Sequence, residues 1–178
     1  MLYWPELSDP KKARRLRLAR TQPALCFVDL NLPALLNELL AGQFADIDQD
    51  VRVSFVSEGP LACIETGQPA QIYIHQVLNH PDTPPEVIRY VLQHELLHLR
   101  IPPEGDDTHP PGFRAAEKRL CPDMNIAWGW MLINLGQFTR KDPSRQRVKV
   151  SRNWREIWRR DSTPLAFDWN EIVTAYER

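Results

Sequence analysis

Cysteine is scarce in this chain, and the three present, Cys26, Cys63 and Cys121, lie far apart. An odd, scattered set excludes a disulfide framework and a C-x-x-C zinc ribbon. Cys26 and Cys63 sit inside apolar runs, ALCFVDL and LACIE, where a thiol behaves as a small core residue. Long hydrophobic runs are missing too. None reaches the ~18 residues of a membrane span, so no membrane partner is expected. The opening stretch MLYWPELSDPKKARR has no apolar run behind its charges, which predicts no secretory signal. These absences together fit a cytoplasmic, reducing compartment. There is no internal repeat and no low-complexity linker. The 178 residues, 43% apolar and 25% charged, fit one soluble domain with a substantial core.

Net charge is nearly absent, at −1, but its distribution is uneven. Residues 1–20 hold six Lys/Arg against two acids, and residues 140–160 hold nine against two. Residues 21–139 hold fifteen acids against six bases. The division that follows is a basic N-terminal segment (1–20), a central domain (21–139), and a basic, Trp-containing C-terminal segment (140–178) packed on that domain. Basic ends pair with an acidic body in many folded proteins. They are also the electrostatic footprint of a polyanion partner, so nucleic acid stays open as a partner through these segments.

Hydrophobic spacing predicts a helix over 30–44, with Pro33 in its first turn and Gly42 near its end. VRVSFV (51–56), LACIET (61–66) and QIYIHQVL (71–78) read as three short strands separated by the turn signals SEGP and GQPA. Short strands joined by tight turns predict a small, mostly antiparallel sheet. Thr83-Pro84-Pro85-Glu86 has the form of a capping box, with proline in the first turn. The helix it opens should run from about Pro84 to about Arg100, where Pro102 and Pro103 prevent continuation. Apolar residues surround much of this helix, which predicts burial. Further helices are expected over 110–120 and 125–138.

The buried helix carries LQHELLHLR, residues 92–100. His94 and His98 are four apart, one turn along a single face, so both imidazoles reach one ion. Glu95 lies between them, placed to act on water at that ion. H-E-x-x-H on a helix is the zinc-hydrolase signature, with the glutamate as general base. The competing reading is a pair of hydrogen-bonded core histidines, but a glutamate buried beside them would be costly without a partner. A catalytic zinc site takes three protein ligands and leaves the fourth position open. His109, after a loop long enough to turn the chain back, is the leading third ligand, with Glu117 as the alternative. The metzincin spacing fails, because Ile101 and Glu104 stand where glycine and histidine are needed.

The stretch from Ile72 to Leu120 resembles the SprT-like and YgjP-like zinc-peptidase families. Their shared layout is a strand, a helix bearing H-E-L-x-H-L, a loop, and H-G-P-x-F opening the next helix. Here these are His94-Glu95-Leu96-Leu97-His98-Leu99 and His109-Pro110-Pro111-Gly112-Phe113, with Pro110 in place of the usual glycine and a longer loop than in the YgjP-like proteins. The resemblance covers about residues 50–120. It implies an α+β, zincin-like fold: a small, mostly antiparallel sheet packed on an active-site helix, with additional helices. It further implies that His94, His98 and His109 hold Zn²⁺ and that Glu95 takes a proton from water and returns it to the leaving amine. The substrate would then be a protein or peptide. Tyr73, His75, Arg100 and Arg114 are the candidates for stabilising the oxyanion, while His75 and His80 are better read as core or surface residues than as ligands.

Two functions therefore compete. One is a zinc-dependent metallopeptidase. The other is a nucleic-acid-associated binding module with a structural or latent zinc site, or a protease acting on DNA-bound proteins. In the second, Trp154 and Trp158 would stack on bases, although tryptophans four apart on a helix more often form a packing face.

Overall fold

The computed structural model describes residues 31–80, 83–135, 139–142, 147–150 and Trp154. The basic segment 1–20, Trp158 and most of the C-terminal segment 140–178 lie outside the described residues.

Helix α1, Leu32–Ala41, begins where the Asn31 side chain accepts the Ala34 N–H at 3.1 Å, satisfying one of the donors a helix start leaves open. Leu32, Leu36 and Leu39 form its buried stripe, at the 3–4-residue spacing of one helical face. Strands β1 (Val51–Val56), β2 (Ala62–Glu65) and β3 (Ala70–His75) follow. β3 is central, in the order β1-β3-β2. It pairs antiparallel with β2 but parallel with β1.

The sheet is thus mixed, and the expectation of a mostly antiparallel one is corrected. Only the second turn makes a hairpin. The first connection, 57–61, crosses the end of β3, where His75 N–H donates to Leu61 O at 2.8 Å. Gly59 takes φ 118° within it, a backbone conformation that essentially requires glycine. Ala62, Ile64, Ala70, Ile72 and Ile74 point one way, into the main core. On the other face Val56, Cys63 and Tyr73 form a small second cluster.

Helix α2, Pro85–Arg100, runs through the centre of the molecule. It packs against α1, β2 and the two helices that follow, α3 (Pro111–Leu120) and α4 (Met124–Leu135). Every residue from Val87 to His98 is buried except Arg89. Full burial of each Ile or Leu contributes about 1.5–3 kcal/mol, so this helix is firmly held.

The capping box does not form. Pro84 is the N-cap, in extended conformation and without a side-chain cap bond, and Thr83 falls one residue too early. With prolines at 84 and 85 there are fewer N–H donors to cap, and both rings preset φ for the first turn. At the other end Ile101 N–H closes on Leu97 O at 2.8 Å before the two prolines.

On α3, Phe113, Ala116 and Glu117 are buried, again at 3–4 spacing. On α4 the same spacing places Ala127, Trp130, Met131, Asn134 and Leu135 inside. A two-stranded antiparallel unit, β4 (Thr139–Asp142) with β5 (Arg147–Val150), follows. Val150 belongs to the main core, and Trp154 packs partly buried against it. The architecture is α+β, with four helices and a three-stranded mixed sheet among the described residues. No helix among them is long and apolar enough to cross a membrane.

Candidate metal centre

His94 and His98 project from the same face of α2, and both are 2% exposed. The last turn of α2 is fixed by Arg100. Its Nε donates to Asp46 Oδ2 at 2.7 Å, its Nη2 to Gln43 O at 2.6 Å, and its guanidinium lies 4.5 Å over the Phe44 ring. That bond holds the Asp46 carboxyl below its ordinary range. Arg100 is therefore committed to the turn after α1 and drops out as an oxyanion group.

The loop after α2 brings the chain back. Glu104 and Asp107 exchange backbone hydrogen bonds of 3.0 and 3.1 Å around Gly105-Asp106. Gly105 sits at φ 60°, the left-handed region that side chains disfavour. Asp107 Oδ1 then accepts the His109 N–H at 3.0 Å, and Thr108 Oγ1 lies 3.0 Å from His109 Nδ1. Three local features thus aim His109 at α2. We expect Gly105→Ala to lower stability by about 1–2 kcal/mol through the left-handed backbone alone, since a Cβ there meets open space. A shift in denaturant midpoint at unchanged slope checks this.

The three imidazoles form a near-equilateral group, with centroids 4.9–5.1 Å apart. The Phe113 ring touches all three, at 4.6–5.1 Å, closing one side with apolar surface. One ligand atom from each of His94, His98 and His109 lies within 4.8 Å of the others. His94 Nε2 and His109 Nε2 are 3.1 Å apart. A tetrahedral ion with bonds of ~2.0–2.1 Å sets its nitrogens about 3.3 Å apart, so these two already stand near that spacing. The three histidines could hold a metal ion.

Their protonation suits that role. Burial pushes the His94 imidazole well below its ordinary range, helped by the charges of His109 and Arg114. Burial likewise lowers His98 to about 2 and His109 to about 4. Neutral imidazole is the ligating form. His94 Nδ1 faces Glu117 Oε1 at 2.7 Å. A carboxylate there keeps the ring proton on Nδ1 and leaves the Nε2 lone pair toward His109.

Glu117, the alternative third ligand, therefore stands behind His94 rather than in the ligand group. Burial raises its carboxyl, opposed by the hydrogen bond from Tyr90. Glu95 is 1% exposed on α2. Burial and then its charge push the Cys63 thiol on β2 well up.

Of the remaining oxyanion candidates, Tyr73 O–H donates to Glu65 at 3.2 Å. His75 Nδ1 accepts the Val77 N–H at 3.0 Å, and its ring meets Trp154 edge-on at 5.4 Å. Arg114 differs from these, since its positive charge is felt at His94, His109 and Glu117. His75 and His80 stand outside the three-histidine group. Sequence reasoning did not anticipate Tyr90 beside the site, nor the carboxylate behind His94. The available signals were Tyr90 one turn before His94, and Glu117 one turn after Phe113.

Comparison of the chain with family models, curated proteins and solved structures yields no match.

Proposed function

We propose that the protein is a zinc-dependent metallopeptidase of SprT-like/YgjP-like type, with a zincin-like fold and a protein or peptide as substrate. The observation that carries this reading is the convergence of three buried imidazoles, two from α2 and one from the mouth of α3, with Glu95 buried on the same helix next to His94 in sequence. His94, His98 and His109 hold the ion through neutral rings. Three imidazoles with an open fourth position are a catalytic zinc set, whereas structural zinc is usually closed by thiolates. When bound, zinc polarises a scissile carbonyl as a Lewis acid and makes water more acidic. Glu95 accepts the proton of the attacking water and passes it to the leaving amine. Arg114 offsets negative charge developing on the carbonyl oxygen.

The nucleic-acid reading gains no support from the described residues. Trp154 is a packing group against the core and His75, and Trp158, residues 1–20 and most of the basic C-terminal segment lie outside the described residues.

We expect stripping with a strong chelator to abolish hydrolysis of an unstructured protein substrate such as casein, and stoichiometric zinc to restore it. Turnover that persists in the metal-free protein would sink the reading.

A further inference from the structure

A hydrogen-bonded chain runs from the middle of the helical layer to the first histidine. The Trp128 ring on α4 lies beside Tyr90 on α2, with ring centroids 6.1 Å apart. Tyr90 O–H donates to Glu117 Oε1 on α3 at 2.8 Å. The same oxygen faces His94 Nδ1 at 2.7 Å. Helices α2 and α3 thus meet through one carboxylate oxygen, and Tyr90 is wholly buried.

We propose that Glu117 is a positioning residue of the metal centre, locked by Tyr90, that sets the tautomer and strengthens the ligation of His94. The inference rests on the metal-binding part of the proposed function and not on the peptidase part.

Packing does not explain a carboxylate here. Glu117 is 8% exposed, and a buried charge costs free energy that an amide or an apolar side chain of similar size would avoid. A carboxylate supplies two things these do not. It keeps the His94 proton on Nδ1, so that Nε2 always offers a lone pair to the ion. It also places negative charge behind the ring, which raises the basicity of Nε2 toward a cation. The geometry excludes a direct ligand role in the same arrangement, because the oxygen sits on the far nitrogen of the ring.

Loss of such an outer partner typically lowers metal affinity 10–100-fold. Glu117→Gln keeps one acceptor oxygen, adds an N–H donor that no longer fixes the His94 tautomer, and removes the charge. Glu117→Ala removes both. Tyr90→Phe leaves the charge and unlocks the carboxylate. The experiment titrates Zn²⁺ into the full-length chain against a chromophoric chelator, for wild type and these three variants. Thermal melting of each metal-free protein runs beside it.

The expected order of zinc affinity is wild type, then Tyr90→Phe, then Glu117→Gln about 10-fold down, then Glu117→Ala up to about 100-fold down. Metal-free Glu117→Gln should melt at or above wild type, since a buried charge is gone. A purely structural glutamate gives the opposite pattern, with metal-free stability falling and zinc affinity within about two-fold of wild type, and that result overturns the proposal. If Glu117→Gln fails to fold, Tyr90→Phe with unchanged zinc affinity overturns it as well. Wild type without measurable zinc affinity overturns both this proposal and the reading beneath it, whereas wild-type binding with equal binding in Glu117→Gln overturns this one alone.

Discussion

Glu95→Gln is expected to bind zinc as wild type does and to hydrolyse peptide about 10²–10⁴-fold more slowly, the usual contribution of a positioned acid–base group. The substitution is isosteric and lies outside the three-histidine ligand group, so neither the ligands nor the packing of α2 should change. Glu95 is 1% exposed. Replacing a buried carboxylate by an amide removes a desolvation cost, so metal-free stability should hold or rise. Lost turnover therefore reports the base and not the fold. Zinc content and peptide turnover, measured on the same preparation, check this. Wild-type turnover in the variant would remove Glu95 from the mechanism.

His109→Ala is expected to lower zinc affinity by more than the about 10–100-fold that loss of an outer partner costs, because it deletes a ligand itself. Two histidines one turn apart on a helix then remain, a pair that leaves half of a tetrahedral shell to water. His109 sits at the end of a built turn, with Gly105 at φ 60° and its own N–H on Asp107. Alanine keeps that backbone, so the change should stay local. His80, outside the group, provides the control, and His80→Ala should retain zinc. Equilibrium zinc titration of both variants decides the matter, and wild-type affinity in His109→Ala would move the third ligand elsewhere.

Much of the local structure was legible because it depends on near neighbours in sequence. The stripe of Leu32, Leu36 and Leu39, the prolines around α2 and the alternation in β1 and β3 place their elements to within a few residues. The His94–His98 spacing puts one ion in reach of both rings, and the loop is long enough to bring His109 back. Strand partners were not legible. Alternation shows which face Val51 or Ile72 presents, but it says nothing about whether residues 57–61 fold back as a hairpin or cross the end of β3. The Thr83–Glu86 pattern misled for a physical reason, since two prolines removed the donors a capping box would satisfy. The β4–β5 unit was missed because TRKD carries no apolar alternation. Glu117 was read as an alternative ligand because spacing shows which residues come near the centre, not which nitrogen of His94 they meet. That depends on how α3 rolls against α2, which Phe113 sets by packing on all three imidazoles.

The most direct test of the central claim is zinc stoichiometry with X-ray absorption at the zinc edge, on the full-length chain after excess metal is removed. The account predicts about one zinc per chain, with three imidazole nitrogens at ~2.0–2.1 Å and no sulfur shell. A chain that retains no zinc after zinc is offered, or one whose zinc shows sulfur at ~2.3 Å, would contradict it.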